Sequence, residues 1–284
     1  MNKKIIFAII LTLFIIGCGR TPSLEPEVIE YHKGFDGLEI TSVKNLPPNE
    51  ILKGTEFVIG LELRNKGAYD IEDGLIMIYG FPKGYALITR PEFYFDIEGK
   101  QPGFPEGGYG IINFNIKGAD LPERMKEYPA AYTIKANYRY QTEAGTEVCI
   151  NPFVYSYMKT KETVCEPKEV VLKKGQGAPV AVTRVQQSFA PIGNKIQVTF
   201  IINIENKGDG KVIDKVYLDE VRLANVPLSC EPQEITLKEK EESSIICTTE
   251  TLVSSGAYIS PLSVKFNYIY SQVLDKKLTI KSLT

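Results

Sequence analysis

Phe57-Val58-Ile59-Gly60-Leu61-Glu62-Leu63-Arg64-Asn65-Lys66-Gly67 returns 141 residues later as Val198-Thr199-Phe200-Ile201-Ile202-Asn203-Ile204-Glu205-Asn206-Lys207-Gly208. Both copies alternate with period two, which lines one set of side chains along a single sheet face. The inward sets match position by position: Phe57 with Val198, Ile59 with Phe200, Leu61 with Ile202, Leu63 with Ile204. Asn and Gly are expected to end each strand because both accept the left-handed backbone of a tight turn. The repeat points to a tandem pair of β-sandwiches.

A second match supports the duplication. Lys135-Ala136-Asn137-Tyr138-Arg139-Tyr140 aligns with Lys265-Phe266-Asn267-Tyr268-Ile269-Tyr270 at an offset of 130. The fall in offset from 141 to 130 gives the first copy about eleven extra residues, which the Gly/Pro/aromatic stretch 80–110 is expected to hold. Upstream of the match, Tyr132, Ile134, Ala136, Tyr138 and Tyr140 should face a core, with Thr133, Lys135, Asn137 and Arg139 in water. Glu143-Ala144-Gly145 reads as a turn, and 262–270 and 276–283 read as a last strand pair. Asp120 followed by Pro122 suggests one or two helical turns. The boundaries that follow are a signal peptide at 1–17, a tether at 18–34, a first sandwich at 35–172, a linker at 173–179 and a second sandwich at 180–284. The fold class is all-β, two tandem immunoglobulin-like antiparallel β-sandwiches after the leader.

Composition limits the partners. The chain has 284 residues, 43% of them apolar, which excludes disorder throughout. Removing the leader takes Lys3 and Lys4 from 33 basic residues, against 35 acidic ones, for a net charge of about −4. No field of that size gathers nucleic acid, so none is expected as a partner.

Residues 1–18 begin with Lys3-Lys4, run apolar from Ile5 to Ile16 and end in Gly17-Cys18. Twelve residues are too few to span a bilayer comfortably and suit a secretory signal. The ending Ile15-Ile16-Gly17-Cys18 resembles the lipobox of prokaryotic lipoproteins, with Ile15 where Leu is usual. That resemblance implies cleavage before Cys18 and lipidation of its thiol. The mature protein would then sit on the extracytoplasmic face of the membrane, held by its acyl chains. An ordinary cleaved signal that leaves Cys18 a free thiol, and an uncleaved N-terminal anchor, are the alternatives. Pro22 and Pro26 make the following stretch an extended tether, with His32, the single histidine, solvated within it.

Four more cysteines form two local couples, Cys149 with Cys165 and Cys230 with Cys247. Local disulfides are the favoured pairing because each couple flanks an expected turn, and they fit an oxidising compartment. Four buried free thiols are the alternative.

The Asn-x-Gly strand ending and the late Tyr-x-Tyr strand resemble immunoglobulin-like domains of prokaryotic cell-surface proteins, with the cell-adhesion-related, CARDB-like group nearest. Gly37-Leu38, Pro47-Pro48 and Asn65-Lys66-Gly67-Ala68 also resemble surface lipoproteins of small-genome archaea. These resemblances imply a fold and a location rather than an activity.

No nucleophile-histidine arrangement, phosphate loop or zinc spacing occurs, so no enzyme, cofactor or metal is expected. Two acidic groups after the turns carry the oxygen ligands that calcium takes: Asp70, Glu72 and Asp73, and Asp209 and Asp214. Solvated loop acids are the commoner meaning of such groups. Glu92 and Asp96 are a carboxylate pair with nothing to fix their separation. Phe81, Tyr85, Phe104 and Tyr109, in the glycine-rich stretch, are the candidate contact loop. The expected function is a non-enzymatic spacer and protein-interaction or adhesion module on the cell surface, with an unidentified surface or envelope partner. The alternatives are an accessory subunit of an envelope transport or secretion complex, and a carbohydrate-binding surface protein.

Overall fold

The computed structural model describes residues 31–81, 86–121, 124–153, 164–237, 241–252 and 256–282. The first repeat gives β1 (Leu38–Ser42), β2 (Glu50–Leu52), β3 (Phe57–Asn65), β4 (Ile71–Tyr79), β5 (Leu87–Ile88), β6 (Glu92–Ile97), β7 (Tyr109–Lys117) and β8 (Glu127–Ile150). After β9 (Val170–Val171), the second gives β10 (Val180–Ile192), β11 (Lys195–Asn206), β12 (Lys211–Leu223) and β13 (Val226–Pro227). It continues with β14 (Ser229–Glu231), β15 (Glu234–Ile235), β16 (Glu242–Leu252) and β17 (Tyr258–Lys281). The chain is all-β and builds immunoglobulin-type sandwiches.

The quoted stretches are β3 and β11. Each has its alternate residues sealed: Ile59, Leu61 and Leu63 in one, Val198, Phe200 and Ile202 in the other, all at 0% exposure. Each lies inside an upper sheet, β3 between β1 and β7 and β11 between β10 and β16. The orders are β1-β3-β7-β5 and, from the opposite end, β9-β10-β11-β16-β14. Sheet order, strand direction and buried face therefore repeat along with the sequence.

Beneath both lies one sheet, ordered β13-β12-β17-β8-β4-β6, with β2 and β15 added at its margins. Its centre is the antiparallel pair β8–β17, which runs unbroken from Tyr258 opposite Ile150 to Lys281 opposite Glu127. Tyr138 lies opposite Tyr270, and Tyr140 opposite Tyr268. Since 138 corresponds to 268 and 140 to 270, the pairing is reciprocal. Each copy uses the same surface to meet the other, as in a two-fold symmetric dimer. Directly opposed residues share a sheet face, so the buried even-numbered side chains of both strands point the same way, under the two upper sheets.

This seam corrects two expectations. Glu143-Ala144-Gly145 is no turn, because Gly145 pairs with Ser263 inside the continuous β8. The last strand pair is likewise one strand, β17. A strand at a sheet edge leaves a row of backbone donors and acceptors open. Pairing two such edges over their full length outweighs the local turn preference of one glycine. The expected helical turns at 120–127 are also absent among the described residues: Asp120 accepts the Leu121 N–H at 2.7 Å, and Glu127 already belongs to β8.

The register locates the extra residues of the first repeat. Leu61 faces Ile112, and Ile202 faces Ile245, so the offset is 133 at β7 and β16. Eight of the eleven extra residues thus fall between β3 and β7, and three between β7 and β8.

The stretch 173–179 is packed rather than free. Gly34 N–H donates to Lys174 C=O, Gly177 N–H to Gly34 C=O, and Ala68 N–H to Gly177 C=O. Ala178 is fully buried. From Tyr31 onward the chain forms one compact unit. His32 is correspondingly held, its ring edge-on to Tyr69 at 5.4 Å with Nδ1 3.2 Å from the hydroxyl.

Candidate functional site

The residues that the repeat singles out meet at the seam. Asn65 is completely buried. Its Nδ2 donates to the carbonyls of Tyr69 and Ile97. Its Oδ1 accepts from Gly67 N–H and from the Tyr140 hydroxyl. Asn206 repeats this with Gly210 C=O, Gly208 N–H and the Tyr270 hydroxyl. The Tyr138 hydroxyl takes the Leu38 N–H where β1 starts, and that of Tyr268 takes the Val180 N–H where β10 starts. The four rings of Tyr138, Tyr140, Tyr268 and Tyr270 stand 5.7–6.3 Å apart in four edge-to-face pairs.

The Asn-Lys-Gly motif is therefore a fastening between upper and lower sheets, and its glycine has a different reason from the one expected. Neither Gly67 nor Gly208 has positive φ. A Cβ on Gly67 would lie 1.9 Å from the Tyr140 hydroxyl, and one on Gly208 2.5 Å from that of Tyr270. Close approach of a tyrosine, not backbone handedness, demands glycine here. The signal was present in the sequence as a Tyr-x-Tyr strand in each repeat.

Burial pushes these phenols up. Desolvation raises Tyr69, Tyr132 and Tyr270 to about 12. It raises Tyr138, Tyr140 and Tyr268 further, against the backbone and side-chain hydrogen bonds that partly offset it. All six are neutral at physiological pH, so the cluster is structural glue.

The acidic groups are mostly committed to loop geometry. Asp70 accepts the Gly99 N–H at 2.7 Å, and Asp214 accepts the Tyr217 hydroxyl at 2.6 Å. Asp73 and Asp214 occupy the left-handed region on matching bulges of β4 and β12. Asp96 accepts the Asp73 N–H at 2.8 Å. Among the described residues, no three His, Cys, Asp or Glu side chains are grouped to hold a metal ion. A cleft of about 600 Å³ opens on the outer face of the shared sheet, lined by Asp70, Glu72, Arg139, Gln141, Tyr217 and Ile269 among others. Arg139 comes within 3.9 Å of Asp73, but both are three-quarters exposed, so the pair contributes little.

The aromatic stretch divides. Phe81 stacks on Tyr132 at 5.1 Å and meets Phe57 edge-on at the start of β3. Tyr85 lies outside the described residues. Phe104 and Tyr109 belong to the other end of β3, roughly 25 Å away along the strand. There, Lys100 N–H donates to Gly67 C=O and Asn65 N–H to Gly108 C=O, which pins the loop 98–108 to the Asn-Lys-Gly turn. Phe104 is 54% exposed, Tyr109 66% and Ile111 60%. The Arg64 guanidinium lies over the Tyr109 ring at 5.5 Å. Of the expected loop residues, Phe104 and Tyr109 are thus exposed, as is Ile111 on β7, whereas Phe81 packs against Tyr132 and Phe57. Strict alternation along β7 would have revealed Ile111.

Both local disulfides are formed, Cys149–Cys165 and Cys230–Cys247. Cys230 and Cys247 are direct cross-strand neighbours on β14 and β16, with Cα atoms 4.0 Å apart. Cys18 and the leader lie outside the described residues.

No protein-family model matches the chain, and no curated protein matches it. Among solved structures it is similar to the Escherichia coli chaperone DraB, at 11% identity and a TM-score of 0.20, over 74% of this chain and 85% of that one. It is also similar to a chain of the Salmonella enterica complex of SafA pilin with the SafB chaperone, at 11% identity and a TM-score of 0.20, over 79% and 94%.

Proposed function

We propose that the protein is a lipid-anchored, extracytoplasmic interaction module, with its two joined sandwiches acting as a stiff spacer. The observation that carries the reading is the seam. A 24-residue strand pair fuses the two sandwiches without a hinge, and at the Asn65 end of β3 Phe104 on the pinned loop and Tyr109 on β7 face solvent. Exposed aromatics next to an arginine are the composition of interface hot spots. Two disulfides fit an oxidising compartment. The leader and Cys18 supply the anchor, through acyl chains that partition into the membrane.

The test is a double substitution, Phe104→Ala with Tyr109→Ala, in cells making the full chain. Deleting the loop would also remove the bonds that Asn65 and Gly67 make to it, so point changes are preferred. Capture of surface partners by crosslinking is expected to fall about tenfold, while stability moves by less than about 0.5 kcal/mol. Unchanged capture removes the aromatic surface from the reading. Mass spectrometry showing an unmodified Cys18 removes the anchor.

A further inference from the structure

Two strands at equivalent places are treated differently by the rest of the chain. On β10 the backbone groups facing away from β11 are answered by the chain itself. The Val180 N–H donates to the Tyr268 hydroxyl, and Thr142 Oγ1 donates to Val180 C=O at 2.6 Å. The side-chain amide of the buried Gln176 accepts from Val182 N–H at 3.0 Å and donates to Val182 C=O at 3.2 Å. Leu172 N–H donates to Thr183 C=O, and β9 pairs with Arg184 and Val185.

On β1 most of the equivalent groups find no such answer among the described residues. Lys66 N–H to Gly37 C=O and Val43 N–H to Gly60 C=O show that the odd-numbered residues bond to β3. In an antiparallel pair the even-numbered residues then turn their N–H and C=O away. Leu38 N–H finds the Tyr138 hydroxyl. Leu38 C=O, and both groups of Ile40 and Ser42, have no hydrogen-bond partner among the described residues. Ile40 corresponds to Val182, whose two groups Gln176 satisfies.

Beside this edge runs a groove of about 470 Å³, lined by Leu38, Ile40, Gln272 and Leu274 among others. Gln272 Oε1 is a buried acceptor with no partner among the described residues, at the position where Thr142 serves the second repeat. The groove's charges lean negative. Lys66 is paired with Glu39 at 2.8 Å and Lys207 with Glu205 at 2.7 Å. Asp36 and Asp209 also stand on its walls. The segment that covers the β10 edge has matching chemistry: Lys168-Glu169-Val170-Val171-Leu172-Lys173-Lys174, two β-branched residues with lysines on either side.

We infer that the open edge of β1 is an acceptor for an extended, β-branched segment with basic flanks, supplied by a partner protein. It adds as an antiparallel strand, with main-chain hydrogen bonds to Ile40 and Ser42 and its lysines toward Asp36 and Asp209. The inference rests on the reading of the protein as an interaction module, but its test does not involve the membrane anchor or the aromatic surface.

The experiment uses the full chain and a synthetic peptide of the sequence Lys168–Lys174 at millimolar concentration, with amide hydrogen exchange as the readout. Exchange at Ile40 and Ser42 is expected to slow about tenfold, with no change at Thr41, whose N–H is already within the sheet. The same peptide N-methylated at alternate residues is expected to have no effect. Ile40→Pro removes only an N–H that faces away from β3, so the strand stays tolerable at a sheet edge while peptide protection is lost. The wild-type exchange alone decides the matter should that variant not fold. No protection of the wild type, or undiminished protection in a folded I40P, overturns the inference. So does protection already present without peptide, which would mean that the edge is filled from within the chain or by a second copy.

Discussion

The two sandwiches share their fastening and differ in how tightly it is enclosed. Asn65 is sealed and uses four hydrogen bonds, while Asn206 is half-buried and uses three. Around Gly67 the linker has closed in: an added Cβ would meet not only the Tyr140 hydroxyl but the backbone oxygens of Gly177 and Asp36, at 2.7 and 2.8 Å. Around Gly208 the obstacles are the Tyr270 hydroxyl and a Pro179 side chain, both at 2.5 Å. The first site is crowded by three atoms within 3 Å and the second by two. A duplicated unit thus kept its hub and diverged in what was laid over it.

The sharpest way to break this comparison is to put the same methyl group into both hubs. Gly67→Ala is expected to cost on the order of 3–4 kcal/mol, combining overpacking with lost hydrogen bonds at a buried site. Gly208→Ala should cost on the order of 1–2 kcal/mol, because only the Tyr270 hydroxyl and one carbon of Pro179 come within 3 Å of the added Cβ. Urea unfolding of the two variants measures the difference. Equal costs would mean that the backbone oxygens of Gly177 and Asp36 add nothing to the first hub.

The disulfides offer the next contrast. Their loops are of nearly equal size, with separations of 16 and 17 residues. The chain-entropy account therefore gives each about 3 kcal/mol. Access separates them. Cys230 and Cys247 are 3% and 0% exposed, inside a strand pair, whereas Cys165 is partly exposed on a connecting segment. Brief treatment of the folded protein with dithiothreitol, followed by alkylation and peptide mapping, should open Cys149–Cys165 well before Cys230–Cys247. The opposite order would contradict the burial of the second couple.

The same contrast explains what was legible beforehand. Alternation in β3, β11 and β8 is a local signal with a period, so the buried sets Phe57 to Leu63, Val198 to Ile204 and Tyr132 to Tyr140 could be read directly. The disulfide couples were legible for the same reason, since each is local. The seam was not, because nothing local in Gly145 or Ser271 says that a turn is overruled by a partner strand more than a hundred residues away. Nor could spacing reveal that Phe81 and Tyr109 stand at opposite ends of β3, or that Gln176 would stand in for a missing strand. The residues of Asn-Lys-Gly were found for a reason the structure replaces. Turn chemistry predicted the right glycine, but the demand comes from a tyrosine of the opposite sheet.

The smallest effect at neutral pH, and the one that tests whether the two halves are a single body, lies in alkali. Tyr69, Tyr132, Tyr138 and Tyr140 on one side and Tyr268 and Tyr270 on the other have folded-state pKa values raised above the usual 10 by burial. A raised value means that the folded protein holds the proton more tightly than the unfolded chain. Stability from these groups is then complete below about pH 10 and is lost as the pH climbs toward 12 and beyond, where unfolding lets the phenols ionise. The first sandwich holds four of the six, so two independent domains would give up in two steps, the first one earlier. The ring quartet instead draws two members from each repeat and sits on the shared strand pair. Ionising any one of them loosens both. Tyrosinate absorbance and far-ultraviolet circular dichroism, followed together through a pH titration, should therefore change in one coincident transition. Two resolved steps would show that the seam does not couple the sandwiches.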